Sequence, residues 1–485
     1  MKDLSEALGS WYSGNGPSYE RLAAAVKAAI ERGELGPGTR LPAERSLAKT
    51  LSMSRNTVSA AYELLRSQEL LISRRGSGTF VRPRSRKRWP TAPATDLSVG
   101  IHNASSSIAS QSAERPIEFL AAAFPGADVL TADVLSAAGE EMAKAVDSHG
   151  YVTLGLPSLR TAIANHLGAS GLPTVPDQVL VTSGAQEAIF LAAMLFVSPG
   201  DRVLIEDPSW LGAIDAYRTA GGDVIGVPSS WEGIDVTACR ELIGRHSPAL
   251  VHVSPSFNNP TGFATSQRGR TELASQLVSS GVPLVEDNTL ADLGLDDRRL
   301  PPVAASAQGA IVLSIGSASK LFWGGLRVGW VRGPEAVIYR LAQLKLVVDH
   351  CSSLPSQALT VALFERMDAI RAQRRQQARH RLGVVQDELR RRLPEWRWRT
   401  PDGGLSLWVQ LPRGLSVEFC QVAQRHGVAL FPGSRASPQG AHADYIRLPF
   451  VQEPDVLAEG IRRLEAAWSA YDHALDRRSV RQVIV

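Results

Sequence analysis

Lys320 closes the run Ser317-Ala318-Ser319-Lys320, and Arg327 follows seven residues later. Basic positions in this part of the chain are almost all arginine: between Ala145 and Val485 the only lysines are Lys320 and Lys345. Arginine keeps its proton near neutral pH, whereas a buried lysine amine can lose it, and only that amine can form a Schiff base. A lysine kept where the chain otherwise uses arginine, beside hydroxyls and a fixed cation, suits the anchor of an aldehyde cofactor. Taken alone, the run equally suits an ordinary lysine at a helix end.

Other residues bear on the same chemistry. Ser183-Gly184-Ala185-Gln186 sits between an apolar run and a helical stretch, and backbone N–H groups at a helix start bind phosphate. Asp287 closes another apolar run, where a carboxylate can pair with a protonated pyridine nitrogen. Trp210 can stack on a planar ring. Asn259, in Asn258-Asn259-Pro260-Thr261-Gly262, can donate to a ring hydroxyl. Lys320 would supply the imine, with Ser317 and Arg327 on the phosphate. Each residue alone reads as a turn, a cap or a core indole. In this order, and mostly at strand ends, they describe a pyridoxal 5'-phosphate (PLP) site.

The elements that must position these residues follow from the apolar pattern. Short runs rich in Val, Ile and Leu predict strands at 178–182, 202–206, 223–227, 249–253, 283–287, 310–315 and 326–331. Continuous apolar runs suit strands covered on both faces, separated here by helical segments. The expected body, 116–485, is therefore α/β with a mainly parallel sheet, and ligands are expected at the carboxyl ends of its strands.

A chain of 485 residues exceeds one core. Charge divides it: residues 1–95 carry 16 Lys and Arg against 8 Asp and Glu, and the remainder 36 against 40. A basic head on a slightly acidic body points to a polyanionic partner for the head. Cys239, Cys351 and Cys420 are far apart and in no ligand spacing, which argues against disulfides and against a metal. The N-terminal residues do not resemble a signal peptide, and the apolar run from Ala188 to Val197 is too short for a bilayer. No membrane partner and a cytoplasmic location are expected.

In the head, Leu22, Val26 and Ile30 recur at helical spacing until the Gly33/Gly36/Pro37/Gly38 cluster. Glu44 opens a short helix through Leu51, and Ser54 caps a third through Leu64-Leu65. Leu70-Leu71-Ile72 and Thr79-Phe80-Val81 flank a basic tip, Arg74-Arg75-Gly76-Ser77-Gly78. Three helices and a basic hairpin make a winged helix-turn-helix, expected over 11–83. Arg55, Asn56, Thr57 and Ser59 at the start of the third helix would read double-stranded DNA. Arg45, Arg74 and Arg75 would meet its backbone. Residues 84–115, cationic and then rich in Ser, Ala and Pro, are expected to be a flexible linker.

The string Gly36-Pro37-Gly38-Thr39-Arg40-Leu41-Pro42-Ala43-Glu44-Arg45-Ser46-Leu47-Ala48, with Ser54-Arg55-Asn56-Thr57-Val58 and Gly76-Ser77-Gly78-Thr79-Phe80-Val81, resembles the DNA-binding domain of GntR-type bacterial repressors. The resemblance implies DNA contacts from Arg45, Arg55, Asn56, Thr57 and the wing tip at Gly76.

The body resembles fold-type I aminotransferases through Gly155-Leu156-Pro157-Ser158-Leu159-Arg160, Ser183-Gly184-Ala185-Gln186, Asn259-Pro260-Thr261-Gly262, Asp287, Ser317-Ala318-Ser319-Lys320, Arg327-Val328-Gly329 and Tyr445-Ile446-Arg447-Leu448. That resemblance implies a carboxylate clamp at Arg447, which otherwise reads as a solvated arginine. It also implies a homodimer in which Tyr151 reaches the partner's phosphate. Where such proteins commonly place a tyrosine shortly after the aspartate, this chain has Thr289, which hardly ionises.

Together the two parts resemble the MocR subfamily of bacterial transcription regulators. The resemblance implies a PLP-dependent regulator that binds an operator and senses PLP or a small amino compound. A working aminotransferase that carries a DNA-binding domain, and a repressor with a vestigial body, are the alternatives.

Overall fold

A computed structural model describes residues 8, 16–31, 34–36, 38–68, 70–74, 78–82 and 116–483. The chain divides into two compact units, Met1–Ser98 and Val99–Val485. The expected linker at 84–115 and the wing-tip residues Arg75 and Gly76 lie outside the described residues.

In the head, helices Ser18–Glu31, Glu44–Thr50 and Arg55–Ser67 stand beside a three-stranded antiparallel sheet. Its strands are β1 (Arg40–Leu41), β2 (Leu71–Arg74) and β3 (Gly78–Val81), in the order β1-β3-β2. Leu22, Val26, Leu47, Val58, Leu65 and Val81 are buried together in its own core. The helical spacing of Leu22, Val26 and Ile30 thus puts an apolar face inward. Ser54 caps the third helix by accepting the N–H of Thr57 at 3.1 Å.

The body opens with β4 (Ile117–Glu118). Its eight-stranded sheet comprises β5 (Val179–Thr182), β6 (Arg202–Asp207), β7 (Asp223–Ser230), β8 (Gly233–Ile234), β9 (Leu250–Val253), β10 (Leu284–Asp287), β11 (Val312–Ser317) and β12 (Gly329–Arg332). The order is β5-β12-β11-β10-β9-β6-β7-β8. The interior β11-β10-β9-β6-β7 ladder is parallel, and β12 runs antiparallel to both its neighbours. Leu250–Val253 and Val179–Thr182 are buried along their whole length, as runs of branched apolar residues suggest.

All seven expected strands are present; five start one to three residues later than expected, the last by the most. Leu326 belongs to a 3-10 turn, and Arg327 has φ 51°, so the last strand starts only at Gly329.

A second sheet lies towards the C-terminus, in the order β13 (Arg397–Trp398), β14 (Ser406–Gln410), β17 (Tyr445–Pro449) and β16 (Phe431–Pro432). Strand β15 (Val428–Ala429) pairs separately with β4. Helices Met367–Arg392 and Pro454–Val483 accompany this sheet. Leu382, Val385, Leu407, Val409, Leu457 and Ile461 join the main core. Among the described residues no helix is long and apolar enough to cross a membrane.

Candidate cofactor site and DNA-reading surface

Lys320 lies in the short helix Ala318–Leu321, immediately after β11. Its Nζ donates to the carbonyl of Ala122 at 3.1 Å. Burial, with the Arg447 and Arg327 cations, pulls its pKa down from 10.5 to about 8, against the pull of Asp287. Asp287 ends β10 and is buried; burial raises its pKa, while the N–H of Thr289 donates to its Oδ1 at 3.0 Å. Thr289 therefore steadies Asp287 through its backbone, although its side chain is too short to replace a phenol.

Arg447 corrects the reading of a solvated arginine: it is 1% exposed. Its Nη1 donates to Asn259 Oδ1 at 3.1 Å and its Nη2 to the carbonyl of Leu120 at 2.6 Å, while Nε finds no partner. The guanidinium carbon lies 4.7 Å from the Phe431 ring centre and 5.9 Å from that of Trp210. Burial brings its pKa down to about 10. No carboxylate of the chain neutralises it among the described residues.

The turn Ser183–Gln186 opens the helix Ala185–Phe196. The first N–H groups of a helix lack intrahelical partners. Arg327 reaches this turn, its Nη2 donating to the Ser183 carbonyl at 3.0 Å. A Cβ on Gly329 would stand 2.5 Å from the carbonyl carbon of Gly184 and 2.7 Å from Ala185 N, so strand and helix start approach closely only with glycine there. Gln186 turns to Trp210 instead of towards the helix start: its Oε1 accepts the indole N–H at 3.0 Å, and its Nε2 donates to the Gly212 carbonyl at 2.7 Å. It thereby sets the orientation of the half-buried indole. Ser317 caps the helix of Lys320, accepting Ser319 N at 3.1 Å, and the buried Ser319 hydroxyl has no partner.

Sequence reasoning missed two contributors. The segment Leu120–Ala122 supplies carbonyls to both Lys320 and Arg447. Lys345, fully buried, donates to Glu187 at 2.9 Å, Asp349 at 2.6 Å and Ser352 at 3.2 Å. The same carboxylates take the N–H and hydroxyl of Ser183, at 2.5 and 3.0 Å. Ser183 is thus engaged within the chain, and an anion at this turn would meet the N–H groups that follow it. The isolation of Lys345 among arginines was the available signal.

These residues fit PLP on their own chemistry. A buried carboxylate without a bound cation, an unpartnered hydroxyl at Ser319, an uncompensated guanidinium and a depressed lysine lie around one helix start. Tyr151, by contrast, is 77% exposed, its ring 6.3 Å from that of His350.

A cavity of about 630 Å³ opens along the same sheet end and is lined by Asn288, Thr289, Asp292, Ser317, Arg371 and Arg375. Most of its cations are already paired, among them Arg371 with Asp292 at 2.8 Å and Arg375 with Asp297. Only about 10 Å³ is open beside Lys320. The chemistry nevertheless converges at Lys320, because there the charged groups bond only to neutral groups and have no ion-pair partner among the described residues. Among the described residues no cluster of His, Cys, Asp and Glu is arranged to hold a metal.

In the head, Arg45, Arg55 and Asn56 are exposed, and Ser59 is half-buried on the same helix as Arg55. Arg55 Nε lies 3.5 Å from Glu44. The Thr57 hydroxyl is 2.8 Å from that of Ser54, so the cap occupies it. Arg74 ends β2, its backbone paired with Gly78 across the hairpin.

Residues 121–463 match the aminotransferase class I and II family, and residues 18–81 match the gntR family of bacterial regulatory proteins. The HTH-type transcriptional regulator YisV of Bacillus subtilis is 31% identical over 86% of this chain and 89% of its own. The probable rhizopine catabolism regulatory protein MocR of Rhizobium meliloti is 31% identical over 94% of each chain. Among solved structures, LysN, the α-aminoadipate aminotransferase of Thermus thermophilus, complexed with N-(5'-phosphopyridoxyl)-L-leucine, is 30% identical. It covers 73% of this chain and 92% of its own, with a TM-score of 0.67.

Proposed function

The chain belongs to the aminotransferase class I and II family and carries a gntR-family head, and on that premise we propose that it is a PLP-dependent transcription regulator. The observation that carries this reading is the convergence of Lys320, Asp287, Arg327 and Arg447 in a chain whose separate basic unit exposes Arg45, Arg55 and Asn56.

PLP, when bound, supplies an aldehyde for reversible linkage to a primary amine and an electron-withdrawing ring. Lys320 would hold the aldehyde carbon; its pKa of about 8 leaves part of the amine unprotonated at neutral pH. The N–H groups of Gly184, Ala185 and Gln186, with Ser317, Ser319 and Arg327, would hold the phosphate. Asp287 would keep a proton on the ring nitrogen, which supplies the cation a buried carboxylate needs. Trp210 would cover the ring and Asn259 bind its hydroxyl. Arg447 would take the carboxylate of an amino-acid effector as a bidentate pair.

Thr289 cannot hold or release a proton near the ring oxygen, which favours sensing over rapid turnover. Tyr151, exposed beside His350, suits a homodimer in which it completes the partner's phosphate site. Two heads would then read two half-sites of double-stranded DNA, in the cytoplasm. An effector shifts operator binding only as far as it favours one arrangement of the dimer over another.

Operator binding measured with and without PLP and candidate amino acids tests the proposal. Occupancy that changes with PLP, and loses that response in Lys320→Ala, supports it; occupancy indifferent to both overturns it. The complete set of Arg447, Asn259 and Asp287 also favours a second reading, a transaminase that carries a DNA-binding unit. Sustained turnover with a 2-oxo acid acceptor would decide for that reading.

A further inference from the structure

A cleft of about 310 Å³ lies between the turn after β7 and one face of the C-terminal sheet. It shares no lining residue with the space around Lys320. Its walls carry Trp231, Phe263, Trp408, Tyr445, Arg397 and Arg399. Strand register explains why these side chains assemble. Arg397 opposes Gln410, Gln410 opposes Tyr445, and Trp408 opposes Arg447; residues directly opposite share a face of the sheet. Trp408 and Tyr445 stack with ring centres 5.2 Å apart, and the Arg399 guanidinium lies 4.1 Å from the Trp231 ring centre across the cleft.

The charges are one-sided. No Asp or Glu lines the cleft, and the one imidazole there, His442, is held by Asp207 at 3.2 Å. Some exposed arginines elsewhere in the body have acidic partners, such as Arg390 with Asp387 and Arg413 with Asp472 and Asp476, while others, such as Arg240 and Arg340, stand singly among the described residues and away from aromatic walls. Arg397 and Arg399 have no acidic partner among the described residues. Flat aromatic walls with unpaired, fork-shaped cations suit a planar ligand bearing a carboxylate. The volume lies at the lower end of the range for small-molecule sites.

We propose that this cleft is a second binding site, separate from that of Lys320, for a small aromatic carboxylate. An occupant would press on Trp408, which stands next to Arg447 on the same sheet face. The site does not depend on the cofactor assignment.

Calorimetric titration of indole-3-acetate into the PLP-treated full chain tests it. Saturable binding is expected, unchanged in Lys320→Ala and weakened at least about tenfold in an Arg397→Gln/Arg399→Gln variant, the loss of a charge-assisted pair. Both replaced residues are exposed, so circular dichroism of that variant should match the parent. Indole, which lacks the carboxylate, should bind at least about tenfold more weakly. The proposal is overturned by absence of saturable binding, by loss of binding in Lys320→Ala alone, or by indole binding as tightly as indole-3-acetate.

Discussion

The ammonium of Lys345 lies 2.9 Å from Oε1 of Glu187, while the other oxygen of that carboxylate accepts the backbone N–H of Ser183 at 2.5 Å. A buried cation thus fixes the acid that fixes the first residue of the turn opening the helix Ala185–Phe196. Asp349, bonded to both Lys345 and the Ser183 hydroxyl, closes the arrangement from the other side.

Lys345→Met should therefore leave two carboxylates facing one another without their cation. Removing one partner of a buried ion pair costs about 3 kcal/mol. A fall of that size in denaturant-unfolding stability is expected, partly restored by adding Glu187→Gln. PLP affinity, followed by absorbance, should fall in Lys345→Met as the turn loosens. Unchanged stability would mean that solvent reaches the cluster and replaces the ammonium.

Lys320 sets a pH dependence. Its folded pKa, about 8, is lowered from 10.5, so the folded chain binds fewer protons between those values than the unfolded chain. The cost of burying the ammonium is fully present below about pH 8 and is relieved as pH rises towards 10.5. Before PLP is added, Lys320→Met should be more stable than the parent at pH 7, by at most about 3 kcal/mol, and the gap should close by the upper end of that window. In the parent, the rate of PLP capture should climb with pH and level off above about 8.

Arg447→Gln should separate amino acids from simple amines. Loss of a buried guanidinium that pairs with a carboxylate costs about 100-fold in affinity. Spectral titration with an amino acid should show that loss, while a carboxylate-free amine should bind as before. Equal losses for both would place Arg447 in support of the Asn259 loop and not on the ligand.

Arg55→Ala addresses the head. An exposed arginine at the start of a recognition helix contributes about 1–3 kcal/mol to discrimination between bases, so operator affinity should fall by at least about fivefold. PLP absorbance should be untouched. Glu44→Gln, which frees Arg55 from its acidic neighbour at 3.5 Å, should raise affinity for unrelated DNA at low salt.

Much of this architecture was legible in the sequence for identifiable reasons. Strands such as Leu250–Val253 are covered on both faces, so an unbroken apolar run marked them. The C-terminal sheet escaped notice because β13 and β16 are two residues long, and Pro432-Gly433 interrupts any alternation. Asp287 and Lys320 could be found because each closes a strand or starts a helix. The burial of Arg447 could not, since its surroundings come from Leu120, Trp210, Asn259 and Phe431, distant in the chain. The Lys345 cluster was hidden likewise, joining positions 187, 345, 349 and 352.

The scarcity of lysine has a chemical corollary. Seven lysines serve the whole chain, and of the two beyond Lys144 one is saturated by acids. Stray aldehydes, which condense readily with surface amines, meet a coat of guanidinium groups that do not compete. Such a sensor has low background: in the body Lys144 is the one exposed lysine, so a colour change on adding vitamin B6 aldehyde to a Lys144→Arg variant should report Lys320 with little contribution from the exterior.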